Sequence, residues 1–394
     1  MGRAIRRVVI VGAGIGGPVL GIALCRLGVE VVLAERRDAP ALAEGAFLGV
    51  APNGMNVLAE LGVADAVLAR GFPCHAFAFS NRKGETIGSI DRRRDGEDFG
   101  WPLTMIRRAD LHVVLAEEAA RRGVDLRFGK RLVDVDRSRP DVVVARFADG
   151  STVEGDLLVG CDGLRSRVRS LVVPEAAEPA FSGLLDFGGF ASGVDVPVPP
   201  GVNAMVFGRR AFFGIFPTPS GELWWFHNGP PPEPSEEAMT TRERLLALHR
   251  DDPSWIGDVL RATPEILGPW PIHDLVGVPR WSHGRIGLLG DAAHAMSPSA
   301  GQGASMAMED ALVLAQCIRD VDDPSRVFEV FERARRPRVD AIARQARRNG
   351  SGKAVSGPVA TFFRDRLLPF FLRLGASAQS RDYGYRIDWN ARVA

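Results

Sequence analysis

Four apolar residues in a row, Val8 to Val11, read as a short strand buried on both faces, and the run stops at Gly12. Small and apolar residues at helical spacing follow, then a second strand that ends on Glu35. Ala51-Pro52-Asn53-Gly54 reads as a turn opening a helix that stops at Gly62. From Cys74 to Ile90 apolar and polar residues alternate around Asn81-Arg82-Lys83-Gly84, which predicts a hairpin. Leu111, Leu115 and Ala119 set a helix over 108–122; the strand VDLRFG follows, and two further strands meet at Asp149-Gly150. A third apolar strand, Leu157 to Gly160, ends on Cys161-Asp162-Gly163.

Between about Pro179 and Pro271 the pattern changes to short alternating strands rich in proline, phenylalanine and tryptophan, with PPPEPSEE as a mobile loop. That composition predicts a mostly antiparallel sheet inserted between two stretches of α/β pattern. A buried strand in RIGLLGD and helices over 304–319 and 324–348 restore the α/β character. The stretch TFFRDRLLPFFLRLG, residues 361–375, has an amphipathic helical pattern; such tails more often pack on their own domain or a partner subunit than on a membrane surface.

Composition narrows the function classes. Lys+Arg 49 against Asp+Glu 48 leaves a formal net charge of +1, which gives no footprint for nucleic acid. Arginine carries nearly all of the positive charge, and with abundant alanine and glycine this suggests a bacterial source of GC-rich genome. The four cysteines stand singly without metal-ligand spacing, so no metal site or disulfide framework is expected. The first strand follows MGRAIRR directly, leaving no room for a cleavable leader, and no apolar run reaches a membrane span. A cytoplasmic protein without a membrane partner is the expectation.

The first strand, turn and helix carry candidate chemistry. Gly12, Gly14 and Gly17 give GxGxxG, which brings backbone N–H groups and a helix N-terminus against a pyrophosphate, with Glu35 placed to accept from a ribose hydroxyl. NAD and FAD both carry that half, so the turn alone leaves the cofactor open. A later stretch, GLLGDAAHAMSPSAGQGASMAMEDA, favours a flavin. Asp291 at the end of a buried strand can accept from a ribityl hydroxyl. Gly301-Gln302-Gly303 lets the backbone approach closely, and the helix dipole starting near Ala304 can stabilise a reduced flavin's negative charge.

The chain resembles class A flavoprotein monooxygenases of the para-hydroxybenzoate hydroxylase family from residue 5 to about residue 350. The family's three motifs stand in order: GxGxxG at Gly12, Gly14 and Gly17, DG at Asp162-Gly163, and GD at Gly290-Asp291. Arg108, opening RADL, and FERARRPR at Phe331 to Arg338 are supporting matches. Two positions depart from the pattern: Phe47 replaces a frequent glycine, and Ser305 a frequent asparagine.

The resemblance implies an α/β fold with a Rossmann-like FAD-binding domain built from 1-73, 101-178 and 276-350. An inserted antiparallel substrate domain would span 74-100 and 179-275, and a C-terminal helical tail 351-394. It places Gly12, Gly14, Gly17, Glu35, Arg36, Arg108, Asp162, Asp291, Gly303 and Ala304 at FAD, and Pro298, Gly301 and Gln302 around the flavin ring. Asp162 and Arg169 have structural readings beside the functional one, and His294 more often packs beneath its loop. The implied reaction uses NAD(P)H to reduce FAD, then O2 to form a C4a-hydroperoxide that gives one oxygen to the substrate.

Substrate candidates come from the aromatic insert: Phe190, Phe207, Phe213, Phe216 and Trp225, with His227 and Asn203 as polar candidates. Half of these aromatics face the chamber in either register, and the sequence leaves the register open. Aromatic walls suit a flat aromatic or polycyclic small molecule and keep water from the oxidant. The only tyrosines, Tyr383 and Tyr385, lie in the tail, so a tyrosine relay to a phenol requires the tail to fold back. A monomer or homodimer is expected. Epoxidation, Baeyer–Villiger oxygenation and a non-catalytic flavin-containing protective protein stay open beside hydroxylation. A halogenase would need a buried lysine, and Lys83, Lys130 and Lys353 have polar or glycine neighbours.

Overall fold

The computed structural model describes residues 5–39, 45–275, 277–351, 366 and 379–393, with the side chains of 349–351 left out. Apart from Arg366, the amphipathic stretch 361–375 lies outside the described residues. The mixed α/β class read from the sequence holds.

A six-stranded sheet orders its strands as Ser282–His283, Ile286–Leu288, Leu157–Gly160, Arg7–Val11, Glu30–Ala34 and Asp125–Arg127. The inner pairings are parallel, and only the short edge strand Ser282–His283 runs antiparallel to its neighbour. Continuous apolar runs are what such a sheet requires, because both faces are covered. Val8, Val9 and Ile10 are completely buried, in one core with apolar residues of the helices Gly16–Arg26 and Gly303–Asp320.

A seven-stranded sheet orders Leu267–Asp274, Ala180–Ala191, Leu223–Gly229, Phe212–Pro217, Val202–Phe207, Ala76–Asn81 and Thr86–Asp91. All its pairings are antiparallel except that of Val202–Phe207 with Ala76–Asn81. The hairpin expected around Asn81 thus joins the far edge of the inserted strands. The helices Thr241–Leu248 and Ser254–Ala262, which the sequence pattern did not disclose, cover one face of this sheet. Thr240 caps the first with a reciprocal bond to Glu243, and Ile256, Val259 and Leu260 bury the second. A small three-stranded sheet, Phe47–Val50, Thr104–Arg107 and Phe72–Pro73, lies between the two large ones in the chain's path. Its strands are too short and too interrupted by glycine and proline to show in the sequence.

Candidate active site

A cavity of about 2270 Å³ runs from the first glycine turn to the seven-stranded sheet. Single small-ligand sites usually measure roughly 300–1,000 Å³, so this one has room for a large cofactor and a second molecule. Gly12, Gly14, Glu35, Arg36, Arg108 and Asp162 contribute to its wall at one end. Gly12 has φ 107°, and a Cβ there would stand 2.4 Å from the carbonyl oxygen of Cys161. Gly17 lies under the turn rather than in the wall: a Cβ on it would meet the Gly12 carbonyl oxygen at 2.1 Å. The helix Gly16–Arg26 has no side-chain cap and no acidic residue in its first turn, so its positive end faces the cavity.

Glu35 is buried and accepts from the backbone N–H of Ala13 at 2.8 Å and from Arg37 N and Nη1 at 3.0 and 3.1 Å. An ionised carboxylate offers about four acceptor sites, so capacity remains for a hydroxyl. Arg36 is exposed at the rim, and no carboxylate pairs with Arg108 among the described residues. Asp162 accepts from Ser166 Oγ at 2.5 Å and from the N–H groups of Arg167 and Val168 at 2.7 and 3.0 Å. Burial pushes its carboxyl upward, and those donors oppose the shift. Arg169 donates to the carbonyls of Ala292 and Leu164, tying this segment to the loop after Asp291.

Gly290, at φ 61°, turns the strand Ile286–Leu288 into the second half of the site. Asp291, Pro298, Gly301, Gln302, Gly303 and Ala304 all line the cavity. The helix Gly303–Asp320 also starts without a side-chain cap or an early acidic residue. A Cβ placed on Gly14 or Gly303 would have nothing within 4 Å, so both helix starts open onto free space. Two uncapped helix N-termini in one cavity fit FAD, which carries a pyrophosphate and, when reduced, an anionic ring.

Beneath the second helix start lies a buried polar network. Asn53 Nδ2 donates to Gln302 Oε1 at 2.9 Å and to Glu309 Oε1 at 2.7 Å. Glu309 pairs with Arg335 and Arg338, each at 2.8 Å. Asp310 pairs with Arg335 at 2.7 Å and His294 at 2.6 Å, and accepts from the Gly290 N–H at 3.2 Å. Ser305 Oγ accepts from Ala51 N at 3.3 Å and would lie 2.5 Å from a Cβ on Gly54, so a small residue here lets two helices touch. The sequence showed Asn53 only as a turn residue, and no local signal joined it to Gln302 across 249 positions.

Two expectations arise from this network. Asn53→Ala leaves Gln302 unanchored and removes a donor from buried Glu309, so stability should fall by about 1–3 kcal/mol in denaturant unfolding, with a matching loss of FAD affinity. Burial alone would raise the Asp310 carboxyl, but His294 and Arg335 hold it down at about 2. A depressed folded pKa means this stabilisation is full above the unfolded carboxylate value near ~4 and disappears as pH falls toward 2. Thermal melts across that window should show a steeper loss in the wild type than in Asp310→Asn.

At the other end the pleat decides which aromatics meet the cavity. Asn203, Met205, Phe207, Phe212, Phe216, Phe226 and Asn228 lie in the wall. Phe213, Trp225 and His227 differ from expectation and point to the opposite face. There Phe213 stacks on Trp225 at 5.6 Å, and Trp225 Nε1 donates to Thr263 Oγ1 at 2.8 Å. His227 Nδ1 bonds His249 Nε2 at 2.9 Å, and His249 in turn bonds Asp252 at 2.8 Å. The helices on that face supply enough apolar and polar partners to fix the register. Phe190 is on the cavity side of its strand but is covered by Phe47, Trp224 and the Arg107 guanidinium. Phe47 itself reaches the cavity and packs edge-on against Phe216.

The described end of the tail, residues 379–393, also folds back. Tyr383 is buried, lines the cavity, and packs against Phe99 and the Arg92 guanidinium. Burial pushes its phenol up to about 12, so it stays protonated. No helix among the described residues is long and apolar enough to cross a membrane, and no metal-binding cluster occurs among them.

Residues 6–346 match the family described as FAD binding domain. Aurachin C monooxygenase/isomerase of Stigmatella aurantiaca is 37% identical, over 79% of this chain and 80% of its own length. The 3-amino-4-hydroxybenzoate 2-monooxygenase PtmB3 of Streptomyces platensis is 32% identical over 93% of each chain. Klebsiella pneumoniae HpxO, solved with FAD and uric acid, superposes with a TM-score of 0.85 at 26% identity over 96% of each chain. The chain belongs to this FAD-binding family and is an FAD-dependent monooxygenase of the class A flavoprotein type.

Proposed function

We propose that this enzyme uses NAD(P)H and O2 to hydroxylate a flat aromatic or polycyclic small molecule held against the seven-stranded sheet. The observation that carries this reading is one continuous cavity, with two uncapped helix starts at one end and an aromatic sheet face at the other. When bound, FAD supplies the redox chemistry that activates O2. The turn around Gly12 and the helix after it would hold its pyrophosphate, with Glu35 available to the ribose and Arg108 alongside. Asp291 would accept from the ribityl chain, and Pro298, Gly301 and Gln302 would border the ring.

The helix starting at Gly303 favours negative charge on the reduced ring, and Asn53 keeps Gln302 in place. Phe207, Phe212, Phe216 and Phe226 keep water from the reacting centre. Tyr383 acts as a hydrogen-bond donor rather than a base, because its phenol stays protonated. The residues 1-73, 101-178 and 276-350 serve the cofactor, and 74-100 with 179-275 serve the substrate. A cytoplasmic bacterial enzyme, monomeric or dimeric, fits this reading.

The test is the visible spectrum of the purified protein, followed by NADH and NADPH oxidation with and without a panel of neutral and anionic aromatics. A flavin band with oxidation accelerated by a panel member is the expected result. A flavin band with no acceleration by any member would count for a protective, non-catalytic role.

A further inference from the structure

The seven-stranded sheet turns a nearly neutral face toward the cavity. Among the described residues its ionisable side chains there are Asp186, which accepts from Asn228 Nδ2 at 2.8 Å, and His273, whose Nδ1 bonds the Pro271 carbonyl at 2.9 Å. Between the strands' aromatic rows stand two carboxamides, and of these Asn228 is bonded to Asp186 while Asn203 is not so satisfied. Asn203 is fully buried yet forms part of the wall, and its strand alternation sets it in line with Met205 and Phe207. Its register partner is Phe77, which also lines the cavity.

Asn203 is poorly satisfied by the protein. Its Nδ2 has only the Met105 sulfur at 3.5 Å, a weak acceptor, and its Oδ1 has no hydrogen-bond partner among the described residues. Buried carboxamides are normally bonded, and leaving one unmade is costly. A core filler would be an apolar residue of the same size, such as leucine. The carboxamide presents one donor and one acceptor side by side in one plane, and a half-turn about its last torsion merely exchanges them.

Resting on the hydroxylase reading, we infer that Asn203 is the specificity-determining residue for a neutral aromatic substrate whose ring edge carries an adjacent N–H and C=O, a lactam or its equivalent. Such an edge meets the carboxamide with two hydrogen bonds, while the aromatic rings lie on the phenylalanine rows. An aromatic carboxylate fits badly: it offers two acceptor oxygens where the carboxamide needs one donor and one acceptor, and so leaves Oδ1 facing a second oxygen.

The test uses three probes of one size class, 2-quinolone, N-methyl-2-quinolone and 2-naphthoate, titrated into the FAD-loaded enzyme and followed by perturbation of the flavin spectrum. Wild type should bind 2-quinolone about tenfold or more tightly than either other probe, as expected for a buried polar group paired against unpaired. Asn203→Leu, of similar volume, should retain FAD and lose the preference for the N–H compound; Asn203→Ser serves if the leucine protein does not fold. Equal binding of the N-methyl compound, tighter binding of 2-naphthoate, no binding of 2-quinolone, or a preference that survives Asn203→Leu would overturn the assignment. Selective binding without faster NAD(P)H oxidation would count against the hydroxylase reading and leave Asn203's role standing.

Discussion

Gly17→Ala should yield a protein that purifies without flavin. The added Cβ would stand 2.1 Å from the Gly12 carbonyl oxygen and 3.2 Å from Leu33 Cδ1. Gly12 has nowhere to go: its N–H donates to the Ala34 carbonyl at 2.8 Å, and on its other side the Cys161 backbone is already in contact. Overpacking of this kind costs about 1–3 kcal/mol in stability. The larger loss falls on the cofactor, because relief requires the turn to open and its N–H groups to re-aim; a loss of about a hundredfold in FAD affinity, roughly 2.7 kcal/mol, is expected. Gly14→Ala is the control, since only open space surrounds that position. It should fold with wild-type stability and bind FAD less well. The ratio of flavin to protein absorbance, with a thermal melt of each apoprotein, separates the two effects. Full flavin occupancy in Gly17→Ala would contradict the close approach described here.

Arg335→Met should be the most destabilising single change in the buried network. Arg335 is completely buried and bridges Glu309 at 2.8 Å and Asp310 at 2.7 Å. Its removal strips Asp310 of one cation and leaves Glu309 to Arg338 alone, which should cost about 3–5 kcal/mol. The loss has a readable address, because Asp310 also accepts from the Gly290 N–H and Glu309 from Asn53. The two cavity-lining segments around Gly290 and Gln302 should therefore loosen together. Denaturant unfolding measures the stability, and flavin fluorescence reports the loosening as reduced quenching. Combining Arg335→Met with Glu309→Gln and Asp310→Asn should restore part of the lost stability, since no uncompensated buried charge then remains. A triple variant no more stable than the single one would show that packing, rather than charge, dominates at Arg335.

The end of the cavity around the glycine turns was legible because the residues that build it are local. Gly12, Gly14 and Gly17 sit within one turn, and Gly290-Asp291 and Gly301-Gln302-Gly303 share one strand-to-helix connection, so spacing along the chain is spacing in the site. The end against the seven-stranded sheet was not legible for the opposite reason. Whether Phe212 or Phe213 meets the cavity depends on which face of the sheet the helices Thr241–Leu248 and Ser254–Ala262 cover, and neither helix stood out in the pattern. One residue of shift exchanges every side chain between the faces. Asn53, Arg335 and Tyr383 were hidden by distance: each acts on groups far along the chain, through contacts that only the folded topology creates. Ser305 read as a departure from the family pattern, and its reason became visible only beside Gly54.

Hydroxylation under oxygen-18 gas tests the central claim most directly. With FAD-loaded enzyme, NAD(P)H and the first compound found to accelerate its oxidation, the product should carry one heavy oxygen atom from the gas and none from water. Product labelled from water, or NAD(P)H consumed with all of the oxygen released as hydrogen peroxide, would contradict it.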